Sequence, residues 1–452
     1  MGQSKKGWLL FGLSLGYFMV LLDTTVVSVA LPAIQADLGG GIETLQWVVN
    51  AYTIVFAGLL LSMGSLTDKM GAKQVYVGGL VIFLAASANS AVAPTSGALI
   101  GLRALLGIGG AALMPASLTL LSHAYPVPTK RARAMGIWAA ITGVAMAAGP
   151  VVGGLLVDAF GWRSIFLLNV PLAVISLLIA WLFVGKTGRN AQRSLDWKGQ
   201  ILAIVAIGTL SFALMEGEAY GWRSPLIVAM FVLAALCTGL FLIVEAKNPA
   251  PLLPLRLFKN ATVSGGIVAG MIINFGLSAI LFMLPLFFQQ VRGLSAGDAG
   301  AAMLPMMIPL AFNPIISGRM AGRIGAKIPM TIGFLLSAVG SLLLILLNRE
   351  TNHVATAIGL LAIGFGVSFT IPSLMTAVIS AVSKDQTGTV TGTLNSSRQI
   401  GATLGIAVSG SLLGASASFT AGMRVSLIAI AAVLFSGSAI SIWMIGRRNK
   451  DC

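Results

Sequence analysis

The sequence predicts an all-α membrane protein whose fourteen transmembrane helices run as six, an inserted two, and six more. Three observations carry the prediction: an apolar, charge-poor composition, a series of spans that sorts the basic residues by side, and a ten-residue segment that recurs late in the chain. Of the 452 residues 57% are hydrophobic and only 9% are charged, against roughly 25% charged in soluble domains. Mean hydropathy is +0.95. A hydrated surface cannot be built from this composition, so the lipid bilayer is the expected solvent. The 54 glycines fit helices that pack closely through small side chains.

A spanning helix needs about 20 mostly apolar residues. Such stretches lie near 8–31, 46–66, 75–93, 98–123, 135–157 and 164–184, then 199–216 and 224–244. Six more follow near 262–288, 299–318, 328–347, 354–378, 389–413 and 423–446. The N-terminal stretch carries Asp23 and is too long for a signal peptide, so it reads as the first span.

With both termini cytoplasmic, the inner segments hold Lys5, Lys6, Lys69, Lys73, Lys130, Arg131, Arg133, Lys186, Arg189, Arg193, Lys198, Lys247, Arg256, Lys259, Arg319, Arg323, Lys327, Lys384, Arg447, Arg448 and Lys450. The outer segments hold Arg163, Arg223, Arg292, Arg349 and Arg424. Lys and Arg accumulate on the cytoplasmic side of membrane proteins, and removing one helix would scramble this separation. The net charge of +15 is therefore a topology signal, and nucleic acid is not an expected partner.

Gly64-Ser-Leu-Thr-Asp-Lys-Met-Gly-Ala-Lys73 follows the second span, and Gly318-Arg-Met-Ala-Gly-Arg-Ile-Gly-Ala-Lys327 follows the tenth. Glycines, a basic residue and Gly-Ala-Lys recur in register, which reads as duplicated halves. Residues 1–185 form the expected N-terminal six-helix bundle, 186–260 an inserted two-helix segment with cytoplasmic linkers, and 261–452 a C-terminal six-helix bundle. Duplicated halves are a usual transporter architecture, with the binding site at the membrane midplane. The first copy keeps Asp68 where the second has Gly322. Gly64, Asp68, Lys69, Gly71 and Lys73 are expected to gate through a charge relay beside a helix end.

Two ionisable residues stand out inside spans. An intramembrane charge costs about 2.5–3.5 kcal/mol on insertion scales, so it should face a cavity or a partner. Burial disfavours the ionised form of a carboxyl group, and Asp23 could therefore gain and lose a proton. It could equally cap a kink or bond its helix to a neighbour. Arg103 cannot readily deprotonate. It either modulates a nearby acid or braces backbone carbonyls.

Arg398, in the thirteenth span, reads in the same way. Pro150 should kink the fifth span, where Gly149, Gly153 and Gly154 permit close helix approach. Asn50, Tyr52, Asn274, Gln289, Gln290 and Arg398, with methionines such as Met19 and Met271, are candidates for lining a substrate cavity. Thioether side chains supply adaptable apolar surface, suited to amphiphilic organic molecules.

Other chemistries find no footing. Gly107-Ile-Gly-Gly110 lies within a span with no strand before it, and no phosphate-binding Gly-Lys-Ser/Thr loop occurs. Cys237 and Cys452 make neither a disulfide framework nor a metal site. His123 and His353 stand alone near helix ends. The Asn260-Ala-Thr sequon falls in a loop expected to be cytoplasmic, and Glu216 and Glu218 lie at an outer turn. No cofactor, no metal and no enzymatic site is expected.

These residues resemble the signature of the major facilitator superfamily, in its fourteen-helix drug:proton antiporter branch. The 64–73 segment matches the motif between the second and third helices. Leu22-Asp-Thr-Thr-Val-Val-Ser-Val-Ala-Leu-Pro32 is similar to the first-helix motif, with Ser28 where Asn is usual. Arg103, Gly107, Gly109 and Ala111 match the proton-coupling motif, with Leu106 in place of Gln. Gly136, Gly149-Pro150 and Gly153-Gly154 match the antiporter motif, with Ala145 where Gly is common.

Trp162-Arg-Ser-Ile-Phe166 with Asn169 and Pro171, Leu195-Asp-Trp197, and Asn395-Ser-Ser-Arg-Gln-Ile-Gly401 extend the likeness over nearly the whole chain. It resembles methylenomycin-resistance-type exporters and, next, quaternary-ammonium efflux pumps. The resemblance implies a monomer in the bacterial cytoplasmic membrane that exchanges protons for small organic molecules. Asp23 and Arg103 would couple the proton, and the fifth-span motif would favour exchange over uniport. Proton-coupled uptake and a transport-inactive receptor are the competing readings.

Overall fold

A computed structural model describes residues 3–185, 188, 196–248, 251–348, 353–383 and 386–446. Lys186, Arg189, Arg193, Leu195, Arg349, Lys384, Arg447, Arg448, Lys450 and Cys452, which entered the readings above, lie outside the described residues, as does the side chain of His353.

In lipid every backbone polar group must be satisfied within the chain, and the described residues are correspondingly helical. The first helices are α1 (Gln3–Leu38), α2 (Ile42–Met70), α3 (Ala72–Ser90), α4 (Ser96–Ala124), α5 (Pro128–Phe160) and α6 (Ser164–Phe183). Then come α7 (Trp197–Tyr220) and α8 (Pro225–Lys247). The remainder are α9 (Ala261–Leu286), α10 (Ala296–Ala302), α11 (Leu304–Phe312), α12 (Pro314–Ile324), α13 (Lys327–Leu343), α14 (His353–Ser380), α15 (Thr387–Gly414) and α16 (Phe419–Met444). Polar N-caps mark several starts: Thr95 accepts from Ala98 N, Ser224 from Ile227 N, Asn260 from Thr262 N and Ser418 from Ala421 N.

Ten of the described helices are long and apolar enough to cross a membrane, or eleven when the two arms of α2, bent by 58°, count as one. The other expected spans also fall on helix, but outside that count. α15 is rich in threonine, serine and glycine, and α3 opens Ala-Lys-Gln. The expected continuous span at 299–318 is corrected to a run of three short helices, α10 to α12. Pro305 and Pro314 stand in the first turns of α11 and α12, and proline lacks the amide needed to continue the preceding helix.

A second correction concerns the 64–73 segment, expected to follow the second span: α2 itself continues through Asp68 and Lys69 to Met70, and a single residue, Gly71, separates it from α3. Gly71 has φ +96°, and its repeat counterpart Gly325 between α12 and α13 has φ +84°. A side chain at such φ is strained, which explains why the glycine of Gly-Ala-Lys recurs.

The chain divides into two compact units, Met1–Gln200 with Ser295–Gly300, and Ile201–Leu294 with Ala301–Cys452. In the first, α1 packs on α4, α5 and α6, α2 packs on α4, and α3 packs on α4 and α6. In the second, α9 packs on α14, α15 and α16, α11 and α12 pack on α14, and α13 packs on α14 and α16. The pairing scheme is the same in both. Small residues serve it alike: Gly149 and Gly153 lie against α1, while Gly401 and Gly405, also four apart, lie against the Met271 and Phe275 carbonyls of α9. α8 exposes Leu236, Leu240 and Ile243 along an apolar face.

Candidate functional site

Asp23 sits midway along α1 where the local helix is saturated by hydroxyls. Thr24 donates to Leu21 O (2.6 Å), and Thr25 donates to Leu22 O (3.2 Å). The carboxylate is fully buried and forms an ion pair with Nη1 of Arg103 from α4, itself fully buried. Its other oxygen accepts from Asn169 Nδ2 of α6 at 3.0 Å. Asn169 also reaches Ser87 Oγ of α3 (3.1 Å), which donates to Phe166 O (2.9 Å).

Arg103 Nε donates to Val48 O of α2 (2.9 Å), and the guanidinium lies 4.6 Å from the centre of the Tyr52 ring. Tyr52 OH reaches back to Val20 O of α1 (3.4 Å). Arg103 thus pairs with an acid of α1 and also donates to a backbone carbonyl, that of Val48 in α2 and not one of α1. Its Nη2 is buried with no hydrogen-bond partner among the described residues, a donor whose desolvation costs about 1–3 kcal/mol.

The fourth helix reaches this network because its small residues let it close on α2 and α3. A Cβ on Gly107 would meet Tyr52 O at 2.6 Å, and one on Gly109 would meet Gly79 O at 2.8 Å. α5 closes on α1 beside the acid. A Cβ on Gly149 would fall 1.9 Å from Thr25 Oγ1, and one on Gly153 2.5 Å from Val26 Cγ2. Gly154 faces the other way: a Cβ there would meet Ala296 O of the 295–300 segment at 2.3 Å, and one on Gly300 would meet Pro150 O at 2.2 Å. Asp158, one turn beyond Gly154, accepts from the Ala296 and Gly297 amides at 3.0 and 2.8 Å. α2, α4 and α6 therefore meet α1 at the Asp23–Arg103 pair, α5 closes within two residues of Asp23, and α3 joins through the Ser87–Asn169 bond.

The remaining expected residues divide. Met19 and Asn50 are fully buried, and Tyr52 faces Arg103 rather than open space. Lys73 Nζ donates to Val184 O (2.6 Å) and Trp181 O (3.3 Å) at the C-terminal end of α6, where a cation is favoured by the helix dipole. Asp68 and Lys69 are half-buried in the last turn of α2. A Cβ on Gly64 would have open space, and its identity has no structural explanation. In the second unit Arg398 donates to Asn274 Oδ1 (3.2 Å) and Asn395 Oδ1 (3.3 Å), and Gln289 lies half-buried in the π-helical turn Phe287–Val291.

Sequence reasoning quoted Asn169 but assigned it no role, and passed over Ser87. The available signal was the one side-chain amide in the mostly apolar α6. It also missed Asp37, which pairs with Arg163 and accepts from Trp162 Nε1 at 3.0 Å.

The profile described as Major Facilitator Superfamily matches residues 13–406 and 304–451. The chain belongs to the major facilitator superfamily. It is accordingly a multi-pass membrane transporter and not an enzyme. This major facilitator chain is 36% identical over 433 residues to the methylenomycin A resistance protein of Bacillus subtilis, covering 96% of its own length and 92% of the relative's. The multidrug resistance protein Stp of Mycobacterium tuberculosis is 34% identical over 406 residues, covering 90% and 75%. Among solved structures, a bacterial homologue of the human lysosomal transporter Spinster, inward-facing and unoccupied, superposes with TM-score 0.70 at 16% identity, covering 99% of this chain and 100% of that one. The human organic anion transporter MFSD10 (TETRAN) gives 0.66 at 17% identity, covering 98% and 100%.

Proposed function

We propose that this chain is a proton-coupled antiporter that exports small amphiphilic organic molecules across the bacterial cytoplasmic membrane by alternating access. It works as a monomer of fourteen spans, six plus two plus six, with both termini cytoplasmic. The observation that carries the reading is the fully buried Asp23–Arg103 pair, with Asn169 donating to the other carboxylate oxygen and the guanidinium lying over the Tyr52 ring. An acid at such a position is a proton carrier whose ionised form is held by the guanidinium. Protonation removes that attraction and frees Arg103 to bond elsewhere, which ties the proton to helix arrangement.

The names of the relatives support export of antibiotics, and the repeated helix pairing supports duplicated halves. Gly149, Pro150, Gly153 and Gly154 form the motif that favours exchange over uniport, with Gly149 and Gly153 closing on α1. Gly64, Asp68, Lys69, Gly71 and Lys73 act as a gate, and Asn274, Gln289 and Arg398 contribute to substrate contact.

Everted vesicles test the reading. Methylenomycin A, the cation ethidium and a neutral compound are added in turn to vesicles holding a preformed pH gradient. Compound-dependent collapse of that gradient, with accumulation of the compound inside, is the expected result. Accumulation that is indifferent to the gradient sinks the reading. An Asp23→Asn loss confined to ethidium makes Asp23 a substrate contact instead of a coupling site.

A further inference from the structure

A sharp bend without a proline needs a cause. α2 turns by 58° between Leu60 and Ser62 and contains no proline. Bends of that size otherwise arise at Gly/Ser pairs or where a side chain intrudes on the helical hydrogen-bond ladder. Both conditions are met. Gly58 and Ser62 flank the bend, and the side chain of Gln200 engages both. Its Nε2 donates to Gly58 O, and its Oε1 accepts from the Ser62 hydroxyl. The two partners are four residues apart, so one amide spans the turn of helix in which the axis changes direction.

Gln200 is only 3% exposed. A buried amide is costly unless it is bonded, and here α2 supplies both a donor and an acceptor. The position of Gln200 follows from local sequence. Asp196 Oδ1 accepts from Gly199 N at 2.9 Å, the bond of an N-cap. That starts α7 at Trp197 and sets Gln200 in its first turn, the part of α7 that groups with the first unit.

We propose that Gln200 is a positioning residue for transport: its side-chain amide holds the bend of α2 and so aims the helix end that carries Asp68, Lys69 and Gly71. The bend precedes Gly64 by a few residues, and every residue of the proposed gate lies on the short arm beyond it or just past its end. The geometric half of the proposal stands alone. The kinetic half rests on the antiport reading.

The bend is measurable. At 1.5 Å per residue, Glu43 and Met70 would stand about 40 Å apart on a straight helix and about 36 Å apart with this bend. Spin labels on Glu43→Cys and Met70→Cys, in a full-length chain with its native cysteines replaced, report that distance by pulsed electron resonance in nanodiscs. Gln200→Leu is expected to lengthen it by up to about 4 Å, and Ser62→Ala, which keeps the bond to Gly58, by less.

In everted vesicles carrying Gln200→Leu, the maximal rate of ethidium-driven gradient collapse should fall about tenfold, with the half-saturating concentration within twofold of wild type. An unchanged distance in both variants overturns the proposal. So does a lengthened distance with an undiminished maximal rate. Should Gln200→Leu fail to fold, Ser62→Ala decides by the same two readouts. A wild-type chain that exchanges none of the compounds defeats the antiport reading, and the distance then decides the claim about the bend.

Discussion

Neutralising Asp23 should separate stability from coupling, and the structure sets the sizes. Asp23→Asn removes the charge that compensates a guanidinium with no exposure to solvent. What remains to Arg103 is the Val48 carbonyl and the Tyr52 face, while Nη2 is already unsatisfied. Removing one partner of a buried ion pair costs about 3–5 kcal/mol, whereas replacing both with well-packed apolar residues of similar volume is often close to neutral. The single variant should therefore denature well below wild type in detergent. The double variant Asp23→Leu/Arg103→Met should recover most of that loss. Transport should not recover, because the proton carrier is gone. The assay pairs thermal denaturation followed by intrinsic fluorescence with gradient collapse in everted vesicles. A double variant no more stable than the single one would refute the pairing argument. A single variant that still exchanges protons for compound at the wild-type rate would refute the coupling argument.

Three further outcomes follow from packing. Gly149→Ala places a methyl group 1.9 Å from Thr25 Oγ1 and should cost about 1–3 kcal/mol by overpacking; Gly136→Ala, with nothing within 4 Å, should denature like wild type, and equal behaviour of the two would refute the close packing of α5 on α1. Gly71→Ala at φ +96° should lose about 1–2 kcal/mol, while Gly64→Ala in open space should lose nothing, both read by thermal denaturation. Asn169→Leu removes one bond to Asp23 and one to Ser87, and should lower transport more than Ser87→Ala does; the opposite ranking in vesicles would remove Asn169 from the network.

Much of this protein is set by local sequence. Lipid leaves the backbone no partner but itself, so apolar stretches of sufficient length become helices. Glycine is demanded at 71 and 325 by positive φ, and prolines at 305 and 314 interrupt one expected span. Asp23 and Arg103 could be singled out by their cost in hydrocarbon. That they meet could not be read, because 80 residues separate them and their encounter depends on α1 and α4 packing through glycines. The same holds for Asn169, whose role exists only where α6 crosses α1 and α3. Tyr52 was legible as polar, but its place beneath the guanidinium was not. Periodicity and composition decide which residues are helical and which charges are expensive. Only the close approach of distant helices decides which charge compensates which, since a bond between side chains depends on distance in space and leaves no mark at any single position.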